Sequence, residues 1–184
     1  AYDFAIAIDD TFSSAYFNKA NSYANLGLYE KAIEFYKETF EFEEEEAMTW
    51  FYIGECYEKL KKKSKALEHY RKAIKIDPLL SDGWISIGLI YEEQGKTRVA
   101  INHVRRAIDI EPLNGEFWYV LADLQMDAGE IENARDSYLK VSELEPQHPD
   151  IWLDYAHSYY KYSRIEESLE IIETGLKAQP ENAA

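Results

Sequence analysis

Apolar, small and polar residues follow one another in a fixed order along this chain, and the order returns every 34 residues. Within each period the apolar positions are spaced by three and four, which is typical of one face of an α-helix. The tryptophans and four of the five prolines mark the period: Trp50, Trp84, Trp118, Trp152, Pro78, Pro112, Pro146 and Pro180. A period of this length indicates one supersecondary unit used repeatedly, each copy stable only when stacked on its neighbours. We therefore expect one elongated, almost wholly helical domain without strands.

Five frames of this length tile the chain, beginning at Ser13, Ala47, Ser81, Gly115 and Pro149. The first half of each frame carries Trp or Tyr at the fourth position, Gly or Ala at the eighth and mostly Tyr at the eleventh. The second half carries Ala or Ser at the twentieth position and mostly Tyr at the twenty-fourth. Small residues let two helices approach closely, and aromatic residues fill the space beside that contact. Each frame is thus predicted to form a helical hairpin.

Glycine and proline mark the ends of the predicted helices. Gly27, Gly95 and Gly129 fall between the two helices of a frame, where a left-handed residue commonly ends a helix. Lys61 and Ser163 take that place in the other two copies. In four copies a proline closes the second helix, because the residue before a proline is pushed out of the α region.

The first copy lacks its closing proline. Glu44 stands in that place within an acidic run at 41–46, and Thr39 replaces a small apolar residue. Carboxylates at a helix C-terminus oppose the helix dipole, so we expect this helix end to fray.

These residues, at this spacing, resemble the tetratricopeptide repeat family over residues 13–182. The third frame shows the pattern: Trp84, Ile87, Gly88, Tyr91, Gly95, Ala100, Ala107, Ile108 and Pro112. The resemblance implies an all-α fold, a right-handed α-solenoid of stacked helical hairpins, with repeats at 13–46, 47–80, 81–114, 115–148 and 149–182. Residues 1–12 would be the second helix of a truncated preceding repeat. Because the family serves as a scaffold for binding other proteins, the expected function is protein–protein interaction.

The charge of the chain narrows the class of partner. The net charge is −15, with 35 acidic against 20 basic residues, so nucleic acid is not an expected partner because binding it requires neutralising phosphates. No apolar stretch approaches the roughly 18 residues of a membrane span. We expect a soluble protein that binds neither nucleic acid nor membrane, and with no targeting segment visible its compartment stays open, with the cytoplasm slightly favoured.

No motif of an enzyme, metal site or cofactor site is present in the sequence, and none is predicted. Cys56 is alone, so it has no partner for a disulfide or a CxxC motif, and its place in the frame favours a small buried hydrophobe. His69 and His103 share one position of consecutive frames. We interpret them as solvated histidines on a helix surface.

The resemblance implies that the second, fifth, sixth, ninth, twelfth and thirteenth positions of the first helices line a concave groove. These positions combine carboxylates with aromatic residues, and the asparagines of the first repeat could bind a peptide backbone. We interpret the groove as a site for a protein or peptide segment with Lys or Arg and apolar anchors; the alternative is that the carboxylates only solubilise the helices. The candidate residues are Phe17, Asn18, Asn21, Asn25, Phe51, Tyr52, Glu55, Glu92, Tyr119, Asp123, Asp127, Asp154, His157 and Tyr160.

One partner class of the family is disfavoured. Members that bind the acidic tails of heat-shock chaperones place Lys, Asn and further basic residues at set groove positions. In the first register this chain offers Phe17, Asn21, Tyr52, Asp82 and Ser86, of which only Asn21 matches, and no other register fits. An acidic tail would also meet carboxylates. Two other roles stay open: a substrate-recognition or regulatory arm of a larger enzyme, and a spacer that only sets distance.

The ends of the sequence suggest a piece of a longer array. Natural arrays finish with a polar capping face, whereas Ile172 and Leu176 lie on the face that a following unit would cover. Ile171 stands where the three preceding repeats have His69, His103 and Ser137. Residues 1–12 lack their partner helix. We therefore expect weak self-association through exposed ends at high concentration.

Overall fold

The computed structural model describes residues 13–146 and 151–178, and within these ranges it contains ten α-helices and no strand. The predicted all-α fold of helical hairpins is confirmed. In chain order the helices are α1 (Ser13–Asn25), α2 (Tyr29–Glu38), α3 (Ala47–Lys59), α4 (Lys63–Ile76), α5 (Ser81–Glu93), α6 (Thr97–Ile110), α7 (Gly115–Asp127), α8 (Ile131–Leu144), α9 (Ile151–Lys161) and α10 (Ile165–Ala178).

The chain divides into two compact units, the first covering residues 1–90 and the second residues 91–184. In the first unit α1 packs against α2 and α3 against α4, and α2 also contacts α3. In the second unit α7 packs against α8 and α9 against α10, with further contacts between α6 and α7 and between α8 and α9. Each unit is therefore built from helices that pack on their neighbours in the sequence.

The turns between paired helices use the left-handed backbone conformation that the sequence predicts. Gly27, Gly95 and Gly129 have φ values of 73°, 70° and 75°. Lys61 and Ser163 occupy the same conformation, with φ values of 58° and 59°. A Cβ atom is strained in this region, so these two residues hold it only because the packing of the hairpin requires it.

The prolines end the second helices and also organise the helix that follows. The residue before each described proline lies outside the α region: Asp77 has φ −122° and ψ 98°, Glu111 has φ −123° and ψ 75°, and Glu145 has φ −127° and ψ 66°. The Pro78 carbonyl accepts a hydrogen bond from Trp84 Nε1 at 3.0 Å, and an equivalent bond of 2.9 Å follows Pro112. The shared period of tryptophan and proline thus has a physical cause, since the indole N–H satisfies a carbonyl that the ended helix leaves free.

The first hairpin differs where its proline is missing. Helix α2 has 10 residues, whereas α4 has 14. After α2 the chain continues only as a 3₁₀ turn at Thr39–Glu41. The Thr39 hydroxyl donates to the Tyr36 carbonyl at 2.7 Å, and Trp50 Nε1 donates to Glu45 Oε2 at 3.1 Å instead of to a proline carbonyl. The α-helix therefore ends earlier in this copy than in the second, and the fraying of its end stays a prediction.

Small residues make the close contacts inside the hairpins. A Cβ atom added to Gly54 would lie 2.6 Å from the Tyr70 ring, and one added to Gly175 would lie 2.5 Å from Trp152 Cβ. Ala122 holds the same position as Gly54 in the second unit and is fully buried. The eighth position thus takes glycine or alanine, according to the side chain that packs against it, while the helices keep the same arrangement.

The solvated position predicted for His69 is wrong. His69 is only 6% exposed, because the twenty-third position faces the aromatic residues of the first helix. Its ring lies 5.3 Å from Trp50 and 4.9 Å from Tyr57, and Nδ1 is 2.7 Å from the Lys65 carbonyl oxygen. Burial lowers the pKa of His69. His103 is half-buried, with its ring 5.3 Å from Tyr91.

The expectation for the chain ends is changed in one respect. Ile171 belongs to the core of the second unit and is 8% exposed, so it is not part of an open end. Ile172 and Leu176 on the same helix are exposed, as expected. Residues 1–12 and the self-association surface expected there lie outside the described residues.

Candidate functional site

Two clefts contain most of the candidate residues, one cleft in each unit. The first cleft has a volume of about 470 Å³ and is lined by Asn21, Ala24, Asn25, Tyr29, Tyr36, Tyr52, Glu55, Cys56 and Lys59. The second cleft has a volume of about 500 Å³ and is lined by Glu92, Tyr119, Asp123, Met126, Asp127, Tyr138, Asp154, His157, Ser158, Lys161 and Tyr162. Both are large enough to receive side chains of a bound segment.

The first cleft has an aromatic wall and a mixed polar lining. The Tyr36 ring stacks on Tyr52 at 5.8 Å, and Phe17 meets both rings edge-on at 5.6 and 5.7 Å. The Tyr36 hydroxyl donates to Asn21 Oδ1 at 2.5 Å. The ring contacts fix the tyrosine, and the tyrosine in turn fixes the asparagine side chain from α1.

The charged groups of the first cleft nearly balance. Burial raises the pKa of Glu55, the negative charge of Glu58 adds to this, and Lys59 opposes it. Burial also raises the pKa of the Cys56 thiol to about 12. A thiol in this state is protonated at neutral pH, so Cys56 lines the cleft as an apolar group and not as a nucleophile.

The second cleft gathers carboxylates from three helices. Glu92 comes from the last turn of α5, Asp123 and Asp127 lie one turn apart on α7, and Asp154 comes from α9. Burial raises the pKa of Asp123, and the charges of Asp154 and Asp127 raise it further. Burial raises the pKa of Glu92 too, with Asp127 and Asp123 contributing. The cleft therefore has a negative potential that its lone lysine, Lys161, only partly offsets.

Tyrosine hydroxyls orient the acids of the second cleft. Tyr138 donates to Asp123 Oδ1 at 2.5 Å, and Tyr119 donates to Asp154 Oδ2 at 2.7 Å. The Tyr162 hydroxyl donates to the backbone carbonyl of Met126. A carboxylate accepts through two oxygens, so Asp123 and Asp154 each keep one oxygen for a further donor.

The structure brings ten of the fourteen candidates into these clefts. The first cleft contains Asn21, Asn25, Tyr52 and Glu55, and the second contains Glu92, Tyr119, Asp123, Asp127, Asp154 and His157. The other four lie elsewhere. Phe17 lines a smaller cavity of about 170 Å³, Asn18 and Tyr160 are exposed outside both clefts, and Phe51 is buried against Tyr70 with ring centroids 5.4 Å apart.

The sequence pattern does not single out five polar residues of the clefts, Tyr29, Tyr36, Tyr138, Ser158 and Tyr162. The two tyrosines at the twenty-fourth position look like packing residues because their rings are buried. A signal was available, since a buried tyrosine hydroxyl needs a partner, and a polar residue stands at the ninth position of each of these two frames.

Within the described ranges, no three His, Cys, Asp or Glu side chains are grouped so that they could hold a metal ion. The helices described there are also too short or too polar to cross a lipid bilayer.

Paired helices of 13 and 14 residues in most copies, a left-handed turn between them and small residues at close contacts define a helical-hairpin repeat protein. Models of the tetratricopeptide repeat match the chain at residues 13–45, 47–78 and 85–149. The chain belongs to the tetratricopeptide repeat family. No curated protein sequence matches it significantly.

Several solved structures have a similar fold. YrrB, described as a tetratricopeptide repeat protein with an unusual peptide-binding site, is 20% identical with a TM-score of 0.78, over 98% of this chain and 93% of YrrB. MamA is 18% identical with a TM-score of 0.81, over 93% of both chains. The C-terminal part of a repeat protein from Cytophaga hutchinsonii is 19% identical with a TM-score of 0.84, over 97% of this chain and 72% of the other. At these identities the likeness concerns the fold.

Proposed function

We propose that the chain is a protein-interaction module that binds segments of a partner protein in its clefts, and that the second cleft takes a segment carrying Lys or Arg beside apolar residues. The observation that carries this proposal is the convergence of Glu92, Asp123, Asp127 and Asp154 on one cleft, with two of their pKa values raised. A cationic side chain placed among these acids relieves their repulsion, because a nearby opposite charge favours the ionised form.

Apolar surface beside the acids favours a peptide over a free cation. Met126 and the ring of Tyr119 line the second cleft, and both side chains adapt well to an apolar anchor. Peptide binding on a similar scaffold has a precedent in YrrB.

The first cleft suits an uncharged stretch of the partner. Asn21 and Asn25 offer amide donors and acceptors of the kind that a peptide backbone needs, and Tyr52 offers an aromatic face. No reaction is proposed for either cleft, and acidic chaperone tails are not proposed as partners because the second cleft would repel them.

The test reverses two charges of the second cleft. Asp123→Lys with Asp127→Lys is compared with Glu166→Lys and Glu173→Lys, two exposed acids of α10 that give the same change in net charge. Partners captured from lysate by the wild-type protein are identified by mass spectrometry. Their affinities are then measured by calorimetry at low and high salt.

We expect the cleft variant to lose at least about tenfold in affinity and most of its salt dependence, because it removes the attraction and adds repulsion. The control pair should bind as the wild type does, and both variants should keep the helical circular dichroism spectrum. Equal affinity of the two variants would show that the acidic cleft does not bind the partner.

A further inference from the structure

Each cleft contains a hydrogen bond between the same two positions of the repeat, but the acceptor group differs between the clefts. The twenty-fourth position holds a buried tyrosine in both, Tyr36 and Tyr138, each about 1% exposed. Each hydroxyl donates across its own hairpin to the ninth position, to Asn21 Oδ1 in the first cleft and to Asp123 Oδ1 in the second, both at 2.5 Å. The donor is the same, and only the acceptor differs, as an amide or a carboxylate.

A single donated hydrogen bond decides which atom the ninth residue offers to a ligand. When Tyr36 donates to the Asn21 oxygen, the Asn21 amide nitrogen is the remaining polar atom, and it only donates. When Tyr138 donates to one Asp123 oxygen, the second oxygen remains, and it only accepts. Among the residues that the structure describes, neither remaining atom has a hydrogen bond, and both side chains line their clefts.

The ring contacts keep each tyrosine from turning away. Tyr36 is held by Phe17 and Tyr52, and Tyr138 stacks on Tyr155 at 4.9 Å and meets Tyr119 edge-on at 6.2 Å. Burial raises the pKa of both phenols, so they remain protonated donors at physiological pH. The ring contacts therefore fix the place of each hydroxyl, which donates to an oxygen of the ninth residue.

We infer that Tyr36 and Tyr138 are positioning residues that set the hydrogen-bond polarity of the two clefts. The first cleft presents an amide donor to a ligand carbonyl, and the second presents a carboxylate oxygen to a ligand ammonium or guanidinium group. This inference rests on the proposed function of the clefts. It adds that each cleft prefers a ligand group of its own hydrogen-bonding character, and that one pair of residues in each cleft sets this preference.

The experiment uses the full chain and two synthetic probes. The first is a capped pentapeptide of alternating leucine and lysine, and the second has glutamine in place of each lysine. Binding is followed by nitrogen-15 NMR of the wild type, Tyr138→Phe and Asp123→Asn. The Asp123 carboxyl carbon is titrated in the wild type and in Tyr138→Phe, which removes the hydroxyl and keeps the ring.

We expect Tyr138→Phe to weaken binding of the lysine probe by about fivefold to tenfold and to leave the glutamine probe unchanged. Asp123→Asn should weaken the lysine probe at least as much. The pKa of Asp123 should rise in Tyr138→Phe, because the donated hydrogen bond holds it down in the wild type. A purely structural role of the ring would move neither the pKa nor the difference between the probes.

The outcomes separate the two proposals. If Asp123→Asn weakens the lysine probe, while Tyr138→Phe changes neither affinity nor the Asp123 pKa, the positioning role is overturned and the cleft function stands. If the lysine probe binds no better than the glutamine probe to the wild type, the proposed function of the second cleft fails. The carboxyl titration then decides the positioning role alone, and an unchanged Asp123 pKa overturns it.

The first cleft gives a parallel test with the glutamine probe. Asn21→Asp replaces the free amide by a second acceptor, so binding of a ligand carbonyl should fall by about tenfold, and Tyr36→Phe should lower it by less. Unchanged affinity in Asn21→Asp would show that the amide of Asn21 does not contact the ligand.

Discussion

The first unit and the second unit differ most where one repeat meets the next inside a cleft. In the first unit the fifth position of one repeat faces the sixth position of the next as Phe17 against Tyr52, with ring centroids 5.7 Å apart. In the second unit the same two positions hold Tyr119 and Asp154, joined by a hydrogen bond of 2.7 Å. An aromatic contact is thus replaced by a polar one without a change of helix or register.

In this comparison the buried packing positions stay alike, whereas the groove positions of the first helices vary. Tyr36 and Tyr138 are equally buried at the twenty-fourth position, and Ala20 and Ala122 are equally buried at the eighth. The groove positions between them differ in charge and in hydrogen bonding. A fold held by the first set leaves the second set free to change with the partner.

The largest effect is expected where the two units fill the eighth position differently. Gly54→Ala should lower the free energy of unfolding by about 1–3 kcal/mol, because the new methyl would lie 2.6 Å from the Tyr70 ring and force it to move. Urea denaturation followed by circular dichroism measures the loss. In the second unit Ala122→Gly is the matched change and should cost about 1 kcal/mol through helix propensity. If the Gly54→Ala variant is as stable as the wild type, the Tyr70 ring is free to move away from the new methyl group.

A smaller effect distinguishes the polar contact from the aromatic one. Tyr119→Phe should lower the free energy of unfolding by about 1 kcal/mol, because Asp154 is half-buried and loses a donor. Tyr52→Phe at the facing position of the first unit should change it by less than about 0.5 kcal/mol, since the Tyr52 contacts are made by its ring. Denaturation curves of the two variants test this difference. Equal losses of unfolding free energy in both would show that the Tyr119 hydroxyl contributes no more than the Tyr52 hydroxyl.

The two units should respond alike at their strained turns. Lys61→Gly in the first unit and Ser163→Gly in the second should each raise the free energy of unfolding by about 0.5–1 kcal/mol, because glycine adopts a positive φ without strain. The reverse change, Gly129→Ser, should lower it by a similar amount. Thermal melting curves measure all three, and a loss of stability in either glycine variant would show that its side chain contributes more than its strain costs.

The smallest effect concerns the charge of an acid in the second cleft. The folded protein raises the pKa of Glu92, so the ionised carboxylate is less favourable in the folded state than in the unfolded one. Glu92→Gln should therefore raise the free energy of unfolding by a few tenths of a kcal/mol at neutral pH and low salt. The gain should disappear below about pH 4.3, where the unfolded state is protonated as well.

The control for this change is Glu173→Gln, an exposed acid of α10, for which we expect no measurable gain. Denaturation at pH 7 and at pH 4 gives both values. A gain for Glu92→Gln that persists at the lower pH would point to packing and not to charge.

Most of the fold follows from the sequence because the repeat supplies the same information several times. Helices begin at Ser13, Ala47, Ser81 and Gly115, where the first four frames begin, and the turn residues adopt the predicted conformation. Each assignment rests on packing rules that hold in every copy. Burial of His69 was not predictable in this way, because a histidine is compatible with both an exposed and a buried position.

The candidate site is predictable as a set of positions but not as a set of contacts. The groove positions that the resemblance to the tetratricopeptide repeat implies include Asn21, Asp123 and Asp154. Tyr36 and Tyr138, the partners of Asn21 and Asp123, come from the second helices, whereas Asp154 pairs with Tyr119 from the first helix of the preceding repeat. Phe51 shows the reverse case: a groove position whose side chain turns into the core because the space beside Gly54 admits a large ring at Tyr70.

The single cysteine makes the first unit observable on its own. Cys56 is 3% exposed, and its pKa of about 12 keeps the thiol protonated, so a thiol reagent reacts with it only after the unit opens. The rate of labelling then reports the opening of α3 directly in the native protein, without any engineered probe. A ligand that closes the first cleft should slow this reaction, whereas a ligand confined to the second cleft has no cysteine to protect.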